Sequence, residues 1–231
     1  MTIDRAIARR TVKCSLVVAV AFAALAAVAG APAASAQELG ADRRLFVIGD
    51  SVMVGAQGAV VTGLPSWQVT VVAEVGLSLL GSASIVRERR GEIGEVAVVE
   101  LGANDGLDPA VFRQRVDAMM DALAGVPLVL WIDQPAFEAG RAALDAELTT
   151  AAAAHPTMRV VDWSAQVAAH PDYVGPDGLH LSAAGAQALT SSIGAELLRW
   201  VAEQTRPPSL FSVVGPYLRV AVHQVAETAP S

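Results

Sequence analysis

The fold of this chain is decided by residues 46–55, which read Phe-Val-Ile-Gly-Asp-Ser-Val-Met-Val-Gly. The apolar run at residues 45–48 is typical of a strand buried on both faces, and it ends abruptly at a glycine. The residues after Ser51 can form a helix, so Ser51 is predicted to lie where a strand turns into a helix. A hydroxyl at such a turn is exposed above the carboxyl edge of a parallel sheet, beside the free N–H groups of the helix.

The rest of the chain continues this alternation. Further apolar runs predict strands at residues 68–73, 96–101, 128–132 and 158–161. Helical spacing predicts helices at residues 52–61, 77–90 and 138–154, one opened by Asp108 and Pro109, and a last one capped by Ser182. Strands that alternate with helices of this length predict an α/β layer fold with a mainly parallel sheet and right-handed crossovers.

Residues 1–36 have the pattern of a secretory signal peptide. Basic residues at positions 5, 9, 10 and 13 precede an apolar segment at 16–28, and Ala-Ser-Ala at 34–36 is typical of a cleavage site. The alternative is an uncleaved membrane anchor, but the apolar segment is shorter than the ~20 residues that a span needs. We therefore expect an exported protein that begins at Gln37. The adjacent arginines at 9 and 10 leave the export route open.

The charge and the cysteine content of the chain argue against some classes of partner and site. The 231-residue chain has a net charge of −7, and the predicted signal holds four of its 16 basic residues and one of its 23 acidic ones. The exported chain is therefore more acidic still, which argues against nucleic acid as a partner. The only cysteine, Cys14, lies in the signal, so we expect no disulfide and no cysteine metal ligand.

The remaining length suits one domain at residues 45–203, preceded by a polar lead-in at 37–44. Residues 204–231 form a predicted C-terminal tail, since Arg-Pro-Pro at 206–208 breaks the pattern of the last helix. The tail is apolar and then polar. It either packs on the domain or frays, or it acts as a lid or a membrane-contacting segment.

Chemically useful residues follow several predicted strands. Ser51 follows the first strand, Gly76 the second and Asn104 the third, and Asp177 and His180 come after the fifth. In a doubly wound sheet the carboxyl ends of neighbouring strands surround one crevice. We expect these residues to converge there.

This set of residues suits serine catalysis. A serine nucleophile needs a base, and a histidine oriented by a carboxylate is well suited to the role. Asp177 precedes His180 by three residues on a Pro-Asp-Gly turn, whereas the histidines at 155, 170 and 223 are interpreted as exposed loop or tail residues. Candidate oxyanion donors are the backbone N–H groups of Ser51 and Gly76 and the Asn104 amide. Taken singly, Gly76 also fits a turn glycine and Asn104 an Asx turn.

Four segments together resemble a known family. Gly-Asp-Ser at 49–51, Gly76, Gly-Ala-Asn-Asp at 102–105 and Asp-Gly-Leu-His at 177–180 are similar, in order and spacing, to the four blocks of the SGNH hydrolases, also called GDSL esterases and lipases. The resemblance covers residues 45–203. It implies a flavodoxin-like three-layer α/β/α sandwich with a five-stranded sheet. The residues at 49–53 and 177–181 are also similar to those of SGNH domains attached to membrane acyltransferases that modify envelope glycans.

The resemblance also implies roles for the site residues. Ser51 would be the nucleophile, His180 the general base and then general acid, and Asp177 the orienting carboxylate; Ser51, Gly76 and Asn104 would form the oxyanion hole. Three residues would support them: Asp50 at the serine turn, and Gly102 and Asp105 in the loop that aims Asn104. The chain departs from the usual pattern at Val52, where leucine is common, and at Glu100, which either reaches solvent or interacts near the site.

The sequence therefore predicts an exported serine ester hydrolase that needs no metal or cofactor. Its expected substrate is a small, acetyl-like ester, on a small molecule or on an envelope or extracellular glycan, with envelope association conceivable and the oligomeric state open. The alternatives are a lipase or thioesterase for longer acyl chains, an acyltransferase to a glycan hydroxyl, and a catalytically silent glycan-binding module.

Overall fold

A computed structural model describes residues 43–206 of the chain. The predicted signal peptide, residues 37–42 of the lead-in and residues 207–231 of the tail lie outside the described residues. No helix within the described range is long and apolar enough to cross a membrane.

Five parallel strands form the central sheet, in the order β2-β1-β3-β4-β5. Both the predicted α/β class and the five-stranded, flavodoxin-like sheet are confirmed, and the sheet is parallel throughout. The strands are β1 (Arg44–Gly49), β2 (Gln68–Ala73), β3 (Val96–Glu100), β4 (Leu128–Ile132) and β5 (Met158–Val161).

Helices connect the strands and cover both faces of the sheet. The α-helices of residues 43–206 are α1 (Ser51–Gly63), α2 (Leu79–Glu88), α3 (Pro109–Ala122), α4 (Arg141–Ala154), α5 (Trp163–Ala169) and α6 (Ala183–Gln204). Short 3₁₀ segments at Arg90–Glu92 and Pro171–Tyr173 complete the described elements.

The alternation of side chains along β1 divides the core into two layers. Phe46 and Ile48 pack with α2, α3 and α4 on one face, whereas Leu45 and Val47 pack with α1, α5 and α6 on the other. All four side chains are fully buried. A strand with both faces covered must be apolar throughout, which is why β1 reads as a continuous hydrophobic run.

Several element boundaries differ from the prediction. Arg44 belongs to β1 and not to the lead-in, because it pairs with Gln68 of β2. The second helix begins at Leu79 rather than at residue 77, and α4 begins at Arg141 rather than at residue 138, directly after Gly140 in a left-handed conformation. The sequence prediction missed α5, since seven residues are too few to establish a helical period.

The strand order creates a topological switch point at the carboxyl ends of β1 and β3. The chain crosses from β1 to β2 on one side and returns to β3 on the other side of β1. Open α/β sheets bind ligands in the crevice outside the carboxyl ends of such strands. Here that crevice lies between the turn at Ser51, after β1, and the loop after β3.

Candidate active site

The turn at Ser51 connects β1 directly to α1. A side chain at Gly49 would lie 2.3 Å from Met53 Cβ, so only glycine fits where the strand turns. Asp50 is the N-cap of α1, and its Oδ1 accepts a hydrogen bond from the Val52 N–H at 2.9 Å. The turn is fastened to the neighbouring strand because the Asp50 N–H donates to the Glu100 carbonyl at 3.1 Å. Ser51 is thereby held at the helix start, in the crevice.

The structure brings Ser51, His180 and Asp177 together although they are far apart in sequence. His180 Nε2 lies 2.9 Å from Ser51 Oγ, and His180 Nδ1 lies 2.6 Å from Asp177 Oδ2. Because Nδ1–H donates to the carboxylate, Nε2 is left as an acceptor for the serine hydroxyl. The three side chains thus form a continuous chain of hydrogen bonds of the kind that activates a serine.

Local hydrogen bonds hold the loop that carries Asp177 and His180. An antiparallel bridge between Val174 and Leu181 closes it at the base, and Asp177 Oδ1 accepts the N–H groups of Leu179 and His180 at 3.1 Å each. The hydrogen bond from the His180 side chain, followed by these two N–H groups, lowers the pKa of Asp177 to about 2. Asp177 is therefore a carboxylate at neutral pH, although about half of its side chain is exposed.

Two of the three predicted oxyanion donors are backbone N–H groups without a protein acceptor among the described residues. Within residues 43–206, the N–H groups of Ser51 and Gly76 donate to no protein oxygen. Gly76 has a φ of +79°, a left-handed conformation that suits glycine. Free N–H groups at a helix start and at a glycine turn are typical anion donors.

The third predicted donor, Asn104, is already engaged. Its Nδ2 donates to Asp50 Oδ2 and to the Leu77 carbonyl, each at 3.1 Å. An amide nitrogen carries two hydrogens, so both are used in the structure. Asn104 thus lies in the loop after β3, and its amide ties the loops after β1, β2 and β3 to one another.

The loop of residues 102–105 is clamped by two guanidinium groups. Arg141 is almost fully buried and donates to the carbonyls of Gly102 at 2.7 Å and Ala103 at 2.9 Å. Arg115 donates to the Asp105 carboxylate at 2.8 Å, and the same carboxylate accepts the Leu79 N–H at 2.9 Å. Asp105 therefore joins the loop after β3 to the start of α2. Gly102, with a φ of +135°, allows the sharp turn.

Glu100 is buried beside the Ser51 turn, which answers the question that the sequence left open. Its carboxyl accepts the Met53 N–H at 3.1 Å and the Gln134 amide at 2.7 Å. Burial, reinforced by the neighbouring charge of Asp50, raises the pKa of Glu100 well above its usual range. Burial also raises the pKa of Asp50, against the lowering effect of its hydrogen bonds from Val52 and Glu100.

Sequence reasoning missed Gln134, Arg115 and Arg141. The polar pair Asp133 and Gln134 directly after β4 was a signal for Gln134, but nothing in the sequence connects either arginine to its loop. The interpretation of His155 as an exposed loop residue was wrong: His155 follows the last residue of α4, and its Nε2 lies 2.9 Å from Asp117 Oδ1, in a partly buried pair. His170 is exposed and stacks on Tyr173.

One curated relative matches a large part of the chain. A stretch of 152 residues is 31% identical to the O-acetyltransferase OatA of Staphylococcus aureus, covering 64% of this chain and 24% of that protein. The chain thus spans about a quarter of the length of the curated relatives it matches. No protein-family model matches the chain.

Solved structures settle the fold. The C-terminal catalytic domain of peptidoglycan O-acetyltransferase A from Streptococcus pneumoniae superposes with a TM-score of 0.59 at 20% identity, over 68% of this chain and 94% of that one. The chain has the SGNH hydrolase fold. A member of the lipolytic protein G-D-S-L family from Veillonella parvula also superposes, with a TM-score of 0.56 at 15% identity, over 66% of this chain and 97% of that one.

The predicted resemblance to the SGNH hydrolases is therefore confirmed. On this SGNH fold, the first three of the four segments follow β1, β2 and β3, and the fourth lies in the loop between the 3₁₀ segment Pro171–Tyr173 and α6. A fold hosts many reactions, however, so the chemistry has to be argued from the groups in the crevice.

Proposed function

We propose that this protein is a serine ester hydrolase that cleaves small acyl esters through an acyl-enzyme at Ser51. One observation carries the proposal: the Ser51 hydroxyl lies 2.9 Å from a histidine nitrogen whose ring is oriented by a carboxylate at 2.6 Å. A serine without a base is a poor nucleophile, and this arrangement supplies both the base and the orienting group.

In the first half of the proposed reaction, Ser51 Oγ attacks the carbonyl carbon of the ester while its proton moves to His180 Nε2. The ester oxygen becomes an oxyanion next to the free N–H groups of Ser51 and Gly76. The tetrahedral intermediate then collapses, and the C–O bond to the alcohol breaks. The alcohol leaves with the proton from Nε2, and the acyl group remains on Ser51.

In the second half, water gives a proton to His180 Nε2 and attacks the acyl carbon. The Ser51 Oγ–acyl bond breaks, and Oγ takes the proton back as the acid departs. Asp177 stabilises the imidazolium that forms in both halves and remains ionised throughout, consistent with its lowered pKa. Each oxyanion donor contributes roughly 2.7–4 kcal/mol to lowering the barrier.

Asn104 would act as a third donor only after an exchange. Its two hydrogens are bonded to Asp50 and Leu77, so one of these bonds must give way to the oxyanion. The bond to Leu77 is the better candidate, since its acceptor is a neutral carbonyl whereas the Asp50 carboxylate is a stronger, charged acceptor.

The proposed substrate is an acetyl-like ester on an envelope glycan. The matched relative is named as an O-acetyltransferase, and the solved SGNH-fold neighbour is a peptidoglycan O-acetyltransferase domain. These names support small acyl groups and glycan hydroxyls as the chemistry of this site. They also support the envelope as its location, together with the predicted signal at residues 1–36.

A second candidate, transfer of the acyl group to a glycan hydroxyl, is favoured by the same relatives. The chemistry differs in one reactant: a sugar hydroxyl replaces water in the second half, and His180 accepts its proton in the same way. Both reactions share the acyl-enzyme at Ser51. The silent glycan-binding alternative has no use for a base that is hydrogen-bonded to a serine.

The test is hydrolysis of 4-nitrophenyl acetate, butyrate and octanoate by the full chain and by Ser51→Ala, with circular dichroism to check the fold of both. We expect the highest rate with acetate and no activity in the variant. Equal activity of the two proteins would overturn the proposal, and a preference for octanoate would support the lipase or thioesterase alternative.

Transfer is tested by adding an N-acetylglucosamine oligomer to the acetate reaction. If the oligomer accelerates release of 4-nitrophenol and gains the mass of one acetyl group, the protein is a transferase. An unchanged rate and an unmodified oligomer favour hydrolysis.

A further inference from the structure

A buried carboxyl group lies directly behind the turn that holds Ser51. Glu100, the last residue of β3, is 1% exposed. Its Oε2 accepts the Met53 N–H from the first turn of α1 at 3.1 Å, and its Oε1 accepts the Gln134 amide at 2.7 Å. One carboxyl group thus connects the nucleophile helix to the end of β4.

Asp50 is a second, fully buried carboxyl next to the first. Its Oδ1 accepts the Val52 N–H and its Oδ2 accepts the Asn104 amide. The Asp50 N–H donates to the Glu100 backbone carbonyl at 3.1 Å, so the two buried residues are in direct contact. Neighbouring buried carboxyls that are both ionised repel each other, so the pair is favoured when one of them carries a proton.

The surroundings assign that proton to Glu100. Burial raises the pKa of Glu100 well above its usual range, and the adjacent Asp50 charge adds to the effect. Burial raises the pKa of Asp50 as well, but hydrogen bonds from Val52 and Glu100 oppose it. Asp50 also caps the N-terminus of α1, where negative charge is favoured.

Two charged groups of the described residues act on this carboxyl pair from neighbouring loops. His180 lowers the pKa of Asp50 from the loop after α5, and Asp105 raises it from the loop after β3. From β4, the group that faces Glu100 is the neutral Gln134 amide. Ionisation of both groups would place two negative charges next to each other in a buried site, which is disfavoured.

We propose, building on the proposed esterase function, that Glu100 is a positioning residue that works as a neutral acid. Its proton holds the Asp50 carboxylate in place, and Asp50 in turn holds the Asn104 amide at the crevice beside Ser51. Loss of this proton in alkali would place two like charges behind the serine turn. The repulsion would separate Asp50 from Glu100 and displace the Asn104 amide and the start of α1.

The test compares Glu100→Gln with Glu100→Leu in the full chain. Glutamine is neutral, matches the shape of a protonated glutamic acid and can donate to Asp50. We expect Glu100→Gln to keep kcat/KM for 4-nitrophenyl acetate within about threefold of the wild-type value at neutral pH. Glu100→Leu should lower kcat by about 10²-fold, the size expected for one lost oxyanion donor.

The pH profile separates this role from simple packing. The rate of the wild-type enzyme, corrected for the Ser51→Ala background, should fall in alkali as Glu100 ionises. Glu100→Gln should lack this fall, because it has no proton to lose. Glu88→Gln, which removes an exposed carboxylate on α2, is the matched control and should keep the wild-type profile.

Infrared spectroscopy gives a readout that does not depend on activity. At neutral pH the wild-type protein should show the carbonyl stretching band of a protonated carboxylic acid. That band should be absent from Glu100→Gln and present in Glu88→Gln. If the wild-type protein shows this band but has no esterase activity, the proposed function is refuted, whereas the assignment of the proton to Glu100 is retained.

Two results would overturn the inference. One is the absence of the carboxylic-acid band from folded wild-type protein at neutral pH. The other is an alkaline limb that persists unchanged in a folded, active Glu100→Gln variant. If Glu100→Leu fails to fold, the pH profile of Glu100→Gln and the infrared band still test whether Glu100 acts as a neutral acid.

Discussion

The two loops that converge on Ser51 are held in different ways. The loop of residues 102–105 is tethered by side chains from α3, α4 and the Ser51 turn, and its Asp105 side chain is fully buried. The loop carrying Asp177 and His180 is held by its own backbone, and both side chains are about half exposed. The first loop therefore depends on distant residues and is part of the folded core. The second is a local turn placed over the serine.

This difference predicts that damage to the exposed loop affects rate without affecting stability. Asp177→Asn keeps the shape of the side chain but presents an amide to His180, which disfavours the tautomer that leaves Nε2 as an acceptor. We expect kcat to fall by roughly 10³–10⁴-fold. The midpoint of urea unfolding should stay close to that of the wild-type protein, because Asp177 is exposed.

Kinetics and urea unfolding of the same preparation check this prediction. Asp172→Asn, an exposed acid of the preceding 3₁₀ segment, is the control and should keep the wild-type rate. A loss of stability in Asp177→Asn comparable to that of a core variant would show that the loop is not the local unit described above.

Damage to the buried loop should affect stability first. Asp105→Ala leaves the Leu79 N–H without its acceptor and removes the partner of Arg115. We expect a loss of about 2–4 kcal/mol in the free energy of unfolding, as for a broken buried network. The same variant should lose activity, because Asn104 is adjacent. Full stability in urea would contradict the contrast between the two loops.

Asp133 tests whether burial alone perturbs a carboxyl at this edge of the sheet. It follows β4 and accepts hydrogen bonds from the Ser164 N–H at 2.8 Å and the Ser164 hydroxyl at 3.2 Å. Burial raises the pKa of Asp133 to about 6. Between the ordinary pKa of an aspartate and pH 6, the Asp133 carboxyl is therefore protonated in the folded state and ionised in the unfolded state. The contribution of Asp133 to stability is present at lower pH and is lost as the pH rises through 6.

Asp133→Asn removes this titration and keeps an oxygen for Ser164. Relative to the wild-type protein, the variant should gain up to about 3 kcal/mol in unfolding free energy between pH 4 and pH 7. Urea unfolding of both proteins at several pH values gives the difference. A difference that is independent of pH would show that Asp133 has an ordinary pKa in the folded protein.

The smallest effect is expected at an exposed ion pair. Arg89 and Glu92 lie 2.6 Å apart and are each about two fifths exposed. Arg89→Ala should change the free energy of unfolding by less than about 1 kcal/mol, and the change should shrink in high salt. A larger loss would mean that surface pairs stabilise this fold as much as the buried loop does.

The sequence predicted the sheet and the exposed loop better than the buried one. Strands β1 to β5 are short apolar runs bounded by turn residues, and Asp177 and His180 are neighbours in sequence, so local patterns sufficed. The contacts of Glu100 depend on its register against β1 and β4, and its partners Met53 and Gln134 are 47 and 34 residues away.

The arginine clamp illustrates the same limit. Arg141 lies 39 residues from the Gly102 carbonyl that it binds. Nothing in the sequence around Arg141, which begins an alanine-rich helix, indicates this contact. The engagement of Asn104 with Asp50 and Leu77 was also beyond the sequence, since it requires three loops to meet. Long-range side-chain contacts of this kind follow only from the assembled fold.

In the proposed reaction, Ser51 Oγ takes up the acyl group. The most direct measurement is mass spectrometry of the full chain, mixed with 4-nitrophenyl acetate, quenched in acid within the turnover time and digested with a protease. We expect one acetyl group on the peptide that contains Ser51, and none in Ser51→Ala. Ester hydrolysis with no acetyl group on that peptide, or with acetylation that persists in Ser51→Ala, would show that Ser51 does not carry the acyl group.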